Sequence, residues 1–271
     1  SNLVSNGDFS QEGVQEVSNG SFSQEGAELV TNGSFAGVTN GTDVTTLTGW
    51  NAYGSVTSRT VESEVLVLVT TGGSTGVSLS FPSVVGKIYR LTATTYGDTG
   101  AGGIYIPDIG GNVSTVGGVD ISWTATTTTQ IIYWRAGNNS SGTINIDNVS
   151  VKEVGQDWDL GTGWSIGDGK VISDGSASQF LMQNVNFLAG KTYAIRFKAD
   201  LISGDFIFGL FPNASGSVRN VDIGWQFTSI NVSDVFYLTP TVDILRIGFQ
   251  SGGGTGFIGS ITNISVKEVG Q

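Results

Sequence analysis

Short segments in which apolar and polar residues alternate recur along the whole chain. Tyr89, Leu91 and Ala93 alternate with polar residues over 88–94, and residues 192–200 repeat the pattern. A period of two is typical of a β-strand with one buried face. Gly, Asn and Ser separate the segments, as turns require, and no window has a convincing helical stripe. The pattern predicts an all-β protein.

Most of the chain is present twice. Thr48-Gly49-Trp50 returns as Thr162-Gly163-Trp164, an offset of 114 (162 − 48), and the segment from Ser150 to Gln156 returns at 265–271, an offset of 115 (265 − 150). Residues 86–89 and 119–123 have counterparts at 190–193 and 221–225. Four matches in the same order indicate two copies of one domain. Short strands with Gly-rich turns predict two tandem antiparallel jelly-roll β-sandwiches, over 27–156 and 157–271.

A shorter repeat of 13 residues opens the chain. Its units are Val4 to Phe9, Val17 to Phe22 and Val30 to Phe35, each with a central Asn-Gly. The third unit has the spacing to serve the first sandwich, whereas the second sandwich lacks such an opening. We expect residues 1–26 to form an arm that pairs with a sheet edge, either of a neighbouring subunit or of the second sandwich. Deletion of this arm is expected to leave both sandwiches folded but to weaken self-association or attachment to a larger assembly.

The composition excludes several classes of chemistry. The 271 residues include no His and no Cys, which removes Ser-His-Asp, Cys-His and zinc-thiolate sites. The net charge of −11 does not favour binding to nucleic acid or to an anionic membrane, which are themselves negatively charged. No apolar run is long enough to cross a bilayer, and the N-terminus has no signal-peptide pattern. Acidic residues are scattered singly, so an enzyme is not expected.

Four motifs carry a resemblance to a known family. They are Asn32-Gly33-Ser34-Phe35, Gly49-Trp50, Gly86-Lys87-Ile88-Tyr89 and Ile146-Asp147-Asn148-Val149. Together they resemble carbohydrate-binding modules of families four and nine, which are galactose-binding-domain-like jelly rolls. The closing motif and the reiterated openings also resemble domains of bacteriophage virion structural proteins. The second copy departs from the pattern, because it lacks the Asn-Gly opening and has Thr262 where the first has Asp147.

The resemblance implies a structural calcium ion in the first sandwich. Asp147 would be its carboxylate ligand, with oxygens near Asn32 and Ser34 completing part of the shell. Calcium takes about six to eight oxygen ligands, many from the backbone. The alternative is that Asp147 only caps a turn. No other cofactor is expected.

The aromatic residues divide into two groups. Those that recur at matched positions in both copies favour core packing: Trp50, Trp123, Trp164, Trp225, Tyr89 and Tyr193. The outward face of the strands in the first copy is the better candidate for sugar binding, and it is expected to carry Arg90, Tyr96, Tyr133 and Arg135 together. The alternative for this second group is a packed interface or a solvated surface.

The leading functional hypothesis is a non-enzymatic virion or extracellular structural protein, such as a phage capsid-decorating or fibre-type component. Its partners would be further copies of itself or other virion proteins, joined through the arm, with a cell-surface glycan as a further ligand. Its expected location is a virion surface or the extracellular space. The alternative hypothesis is a carbohydrate-binding module for adhesion or polysaccharide recognition.

Overall fold

The computed structural model describes residues 12–71, 75–97, 103–113, 117–135, 141–176, 180–212, 225–227, 235–251 and 256–270. They fall into two compact units. Domain 1 is Glu25–Val154, and domain 2 is Gly155–Gln271 together with the N-terminal segment that ends at Gln24. Among the described residues the only helical element is a 3-10 turn, Val44–Thr46. The all-β prediction is confirmed.

Domain 1 consists of two antiparallel sheets around one core. The larger has the order β10-β7-β12-β5-β4-β2, and the smaller has the order β3-β6-β11-β8-β9. The strands of the larger sheet are β2 (Thr42–Asp43), β4 (Ser58–Glu62), β5 (Val65–Thr71), β7 (Ile88–Gly97), β10 (Gly117–Thr124) and β12 (Ser141–Val154). Those of the smaller sheet are β3 (Trp50–Tyr53), β6 (Gly76–Pro82), β8 (Gly103–Ile106), β9 (Gly111–Val113) and β11 (Thr129–Arg135). Inward residues of both sheets, such as Leu91 and Trp134, are fully buried and form the core.

Domain 2 repeats this arrangement. One sheet has the order β13-β14-β21-β16-β19, with β1 also paired to β21, and the other has the order β15-β20-β17-β18. The strands of the first are β1 (Glu12–Gln15), β13 (Trp164–Gly167), β14 (Lys170–Asp174), β16 (Thr192–Ser203), β19 (Val235–Leu238) and β21 (Ile258–Val269). Those of the second are β15 (Leu181–Phe187), β17 (Phe206–Phe211), β18 (Trp225–Phe227) and β20 (Ile244–Ser251). Buried aromatic rings dominate this core, among them Phe206, Phe208 and Phe249.

The second and third N-terminal repeats complete the two sandwiches. In domain 2, Glu12 pairs with Val269 on the closing strand β21, and the Ile264 amide donates to the Gly20 carbonyl. In domain 1, Glu25 forms an isolated bridge with Val154. Residues 12–24 therefore belong to domain 2 and residues 25–26 to domain 1, which differs from the expected arm over 1–26. The cause is backbone pairing, since each segment fills one edge of a closing strand.

These opening segments, 12–22 in domain 2 and 25–35 in domain 1, each also supply two core side chains. Val17 and Phe22 are buried in domain 2, and Val30 and Phe35 are buried in domain 1. Of the two hosts expected for the arm, the structure therefore shows the second sandwich. The first repeat, 4–9, lies outside the described residues.

Candidate functional site

A cluster of tyrosines lies on the outer face of the smaller sheet of domain 1. In β11 the residues Ile132 and Trp134 are fully buried, so the alternate residues Tyr133 and Arg135 point away from the core. The register places Tyr133 opposite Tyr105 of the neighbouring strand β8. The period of two along short strands is thus what brings these side chains to one face.

The rings are close enough to form a continuous aromatic surface. The ring centroids of Tyr53 and Tyr133 are 4.9 Å apart, in an edge-to-face arrangement, and those of Tyr105 and Tyr133 are 6.0 Å apart. The guanidinium carbon of Arg135 lies 4.1 Å from the centre of the Tyr105 ring, a cation–π distance. All four side chains are half-buried. We call Tyr53, Tyr105, Tyr133 and Arg135 the tyrosine face.

Polar groups border the tyrosine face on the side of β3. The Asn51 side-chain amide donates to the Gly49 carbonyl at 3.0 Å and to the Ser80 hydroxyl at 3.3 Å. The register places Asn51 opposite Ser78, which is itself opposite Tyr133. An aromatic surface beside fixed amide and hydroxyl groups can contact an apolar ligand face and hydrogen-bond its edge.

Domain 2 has no counterpart of this cluster at the matched positions. By the offset of 115, Tyr133 and Arg135 correspond to Gly248 and Gln250 of β20. Gly248 presents no side chain, and a Cβ there would lie 2.9 Å from the Leu181 carbonyl oxygen and 3.0 Å from the Phe180 ring. The tyrosine face is therefore a feature of domain 1.

The four residues expected to form one sugar-binding face are divided between two sheets. Tyr133 and Arg135 lie on β11 of the smaller sheet, whereas Arg90 and Tyr96 lie on β7 of the larger sheet. The prediction of one common face is therefore wrong. It failed because alternation reports which residues of one strand share a face and carries no information on the sheet to which the strand belongs.

Arg90 has an ionic role on its own sheet. Its guanidinium is paired with Asp120, with a nitrogen–oxygen distance of 2.5 Å, and lies 3.6 Å from Glu25 of the opening segment. Glu25 also pairs with Lys152, and their hydrogen bond raises the pKa of Lys152 above its ordinary value. Arg90 thus helps to hold the opening segment in place.

Sequence reasoning missed Tyr53 and Tyr105. Tyr53 ends the strand that begins with the predicted core residue Trp50, and Tyr105 alternates with Ile104 and Ile106, which are both fully buried. The alternation around Tyr105 was a usable signal, although the strand is only four residues long.

The residues proposed for calcium do not form a complete shell. One Asp147 carboxylate oxygen accepts from the Asn148 backbone amide and the other from the Asn148 side chain. Asn32 and Ser34 are exposed, and Asn32 has a left-handed backbone (φ 57°). The described part of the chain has no group of three or more carboxylate, His or Cys side chains placed to hold a metal. Calcium takes many of its ligands from backbone carbonyls, so its binding at Asp147 stays a prediction from the resemblance.

The aromatic residues expected in the core are placed there where their side chains are described. Trp50, Trp123, Trp164, Tyr89 and Tyr193 are all buried. The Trp123 indole nitrogen donates to the Gln130 side chain at 2.8 Å, and the Trp50 ring packs against Phe35 with centroids 5.4 Å apart. The Trp225 side chain lies outside the described residues.

Trp158 is a core aromatic residue outside the set that recurs in both copies. Trp158 is buried, its ring lies 5.2 Å from that of Phe22, and its indole nitrogen donates to the Asn19 carbonyl at 3.2 Å. In domain 2 this residue packs against the phenylalanine of the opening segment, as Trp50 does in domain 1.

No family model and no curated protein matches this chain. Among solved structures, the chain is similar to the N-terminal tandem CBM22 domains of Xyn10C from Paenibacillus barcinonensis, at 13% identity and a TM-score of 0.34, over 91% of this chain and 99% of that one. It is also similar to the tandem CBM51 modules of a family 98 glycoside hydrolase from Streptococcus pneumoniae, at 11% identity and a TM-score of 0.21, over 95% and 96%. A third is an isomalto-dextranase of Arthrobacter globiformis complexed with panose, at 13% identity and a TM-score of 0.27, over 76% and 36%.

Two of these three structures are tandem carbohydrate-binding modules. The sheets of this chain define it as a protein of two jelly-roll β-sandwiches in tandem. Among its described residues, no helix is long and apolar enough to cross a lipid bilayer.

Proposed function

We propose that domain 1 binds carbohydrate through the tyrosine face and that the protein is a non-catalytic binding module. The observation that carries this proposal is the cluster of three half-buried tyrosine rings with Arg135 over Tyr105. It lies on one face of a sheet, so the strands fix its geometry.

The chemistry of a sugar ring matches this surface. A pyranose has a face of C–H groups that can pack on an aromatic ring, and its hydroxyls can bond to polar groups at the edge. Arg135 carries guanidinium donors, and the exposed Asn51 adds an amide group on the neighbouring strand. Ordered water can bridge the longer distances.

The test is a glycan array followed by calorimetric titration of the best ligand. The variant Tyr133→Ala removes the ring that contacts both other tyrosines, and we expect it to weaken binding at least tenfold, which corresponds to about 1.4 kcal/mol. Tyr96→Ala is the matched control, because Tyr96 is 46% exposed on the other sheet. Binding that is lost in Tyr96→Ala and kept in Tyr133→Ala would contradict the proposed site, and an array with no ligand would contradict the function.

The location that goes with this proposal is extracellular, where polysaccharides and cell-surface glycans are available. The virion role that was the first expectation from the sequence has no support in the described sheets or in the three structures compared.

A further inference from the structure

The two described opening segments bind their domains through the same contacts. Glu12 forms ion pairs with Lys267 and Arg196 in domain 2. Glu25, which is 13 residues later, forms ion pairs with Lys152 and Arg90 in domain 1. Lys152 and Lys267 are themselves matched by the offset of 115 between the two closing strands. The repeat of 13 residues is therefore a repeat of one binding unit.

The next contacts along the unit also correspond. The Val266 amide donates to the Gln15 side chain at 2.8 Å, and the Val151 amide donates to the Glu28 side chain at 2.9 Å. One residue later, the Glu16 amide donates to the Val266 carbonyl and the Leu29 amide donates to the Val151 carbonyl. Each segment thus satisfies both backbone groups of the same position in its closing strand.

The Asn-Gly-x-Phe turn fixes the end of the unit. Gly20 and Gly33 approach the closing strands so closely that a Cβ would lie 1.9 Å from the Ile264 oxygen and 1.8 Å from the Val149 oxygen. The two phenylalanines have left-handed backbones, with φ of 53° at Phe22 and 52° at Phe35, and both rings are buried. A positive φ at a phenylalanine is strained, so it persists only when packing holds it. The turn is a specific docking geometry.

The first repeat has the residues that the Asn-Gly-x-Phe turn requires, while Asn2 stands where the second repeat has Gln15 and the third has Glu28. Residues 4–13 and 17–26 are identical except at Asp8, which corresponds to Ser21. Val4, Asn6, Gly7 and Phe9 therefore stand where the second repeat has its buried valine, left-handed asparagine, close-approaching glycine and buried phenylalanine. Asp8 corresponds to an exposed position, Ser21, so it does not interfere with docking.

Both matching sites of this chain are already filled. In domain 1 the Val149 amide of the closing strand donates to the Gly33 carbonyl of the third repeat, and in domain 2 the Ile264 amide donates to the Gly20 carbonyl of the second. The third repeat, which directly precedes domain 1 in sequence, completes domain 1. The second repeat, which precedes the third, completes domain 2. Both described closing strands are therefore matched to a repeat other than the first.

We propose that the first repeat is a third opening segment, whose partner is a further jelly-roll domain of the same type that lacks an opening strand. The partner's site is defined by its chemistry. It has a closing strand of the form Asn-(Val/Ile)-Ser-Val-Lys-Glu-Val, as at 148–154 and 263–269, with the asparagine left-handed (φ 51° and 53°). The backbone amide of the Val or Ile is unpaired in this partner, so it can donate a hydrogen bond to the glycine carbonyl of the incoming segment.

A second copy of this chain is a poorer partner. Its sites are occupied by segments of its own polypeptide, and a tethered segment has an effective concentration of about a millimolar or more. A segment from another molecule at micromolar concentration does not displace it. A domain without its own opening segment offers an unpaired strand edge, which is the situation in which strand addition is favourable.

Docking by the first repeat can be tested in the full chain. Gly20→Val prevents the second repeat from docking, because its Cβ would lie 1.9 Å from the Ile264 oxygen. We expect the first repeat to take its place, so that the Ile264 amide keeps its protection from hydrogen exchange. In Gly7→Val/Gly20→Val this protection should fall at least tenfold, whereas Gly7→Val alone should match the parent chain. Equal exchange in Gly20→Val and in the double variant would overturn the proposal.

The milder pair Phe22→Ala and Phe9→Ala/Phe22→Ala gives the same comparison if the valine variants do not fold. The expected order is unchanged, with slower exchange of the Ile264 amide in the single variant than in the double variant. Equal exchange in this pair would also overturn the proposal.

The nature of the partner is tested with a labelled synthetic peptide of residues 1–11. We expect it to bind the Gly7→Val/Gly20→Val chain, whose domain 2 has an open site, and to bind the parent chain at least tenfold more weakly. The same peptide with Gly7→Val should not bind. Equal binding to the parent chain, or self-association of the parent that Gly7→Val abolishes, would make the partner a second copy and contradict the proposal.

Discussion

At the scale of single residues, two glycines decide whether the opening segments can bind. Gly20 and Gly33 lie so close to carbonyl oxygens of the closing strands that a Cβ on either residue would overlap with the oxygen. The obstacle is backbone on both sides of the contact, so relief requires a shift of a whole strand. Many glycines of this chain lie in turns, but these two allow the backbone of an opening segment to contact the backbone of a closing strand.

We therefore predict that Gly33→Ala destabilises domain 1 by at least about 2 kcal/mol, which is in the range of overpacked core substitutions. The measurement is the thermal unfolding of domain 1. Gly118→Ala is the control in the same domain, because a Cβ at Gly118 meets nothing within 4 Å. An unfolding midpoint that drops equally in both variants would show that the contact with Val149 is not the cause.

Single residues also show where sequence reasoning reached its limit. The alternation in β11 correctly placed Trp134 inward and Tyr133 outward. It joined Tyr133 to Arg90 and Tyr96, however, which lie on another sheet. The true neighbours Tyr53 and Tyr105 come from strands of four residues each, and only the register of the sheet brings them together.

At the scale of elements, the opening segment of domain 2 has two carboxylates with opposite effects on stability. Lys267, followed by Arg196, lowers the pKa of Glu12 below its ordinary value of 4.5. Burial, followed by the charge of Glu268, raises the pKa of Glu16. A lowered acid pKa stabilises the fold when the group is ionised, and a raised one destabilises it.

The pH dependence follows from these directions. At pH 7 we expect Glu12→Gln to lower the stability of domain 2 by about 0.5 kcal/mol, as for other exposed ion pairs, and Glu16→Gln to raise it by a similar amount. The Glu12 contribution is lost as the pH falls from 4.5 through its lowered pKa. The Glu16 penalty disappears as the pH falls through its raised pKa, which lies at higher pH.

The measurement is the unfolding midpoint of domain 2 in the parent and both variants between about pH 7 and pH 3, at constant salt. Both differences from the parent should be present at neutral pH and absent at the acidic end. A Glu12→Gln difference that grows towards low pH would contradict the assignment of the ion pairs.

At the scale of the whole molecule, the chain order does not follow the order of the folded parts. Domain 2 takes its opening segment from residues that precede all of domain 1. In sequence, Val17 and Phe22 precede most of the core that buries them by at least 130 residues. The ring contact between Phe22 and Trp158 is an example. Domain 2 is therefore complete only when a long-range contact has formed.

This arrangement changes the expectation for truncation. We predict that deletion of residues 1–24 leaves domain 1 folded and destabilises domain 2 by about 3–6 kcal/mol, from the lost burial of Val17 and Phe22 alone. Deletion of residues 1–11 should leave both domains as stable as in the parent chain. The measurement is calorimetric unfolding with the two transitions resolved. Two unchanged transitions after deletion of 1–24 would restore the earlier expectation of a dispensable arm.

The sequence by itself determined the all-β class, the duplication and the buried face of most strands. These depend on the period of two and on internal matches, which are local properties of the chain. It also showed that the second sandwich lacks its own Asn-Gly opening, and it left the host of the spare repeats open between that sandwich and a neighbouring subunit.

Only the tertiary structure decided which repeat pairs with which closing strand and which side chains meet on the tyrosine face. Both depend on contacts between strands that are far apart in sequence, such as Gln15 with Lys267 and Tyr53 with Tyr133. Alternation fixes the side of a strand on which a residue lies, but the neighbour across the sheet is chosen by the packing of the whole core.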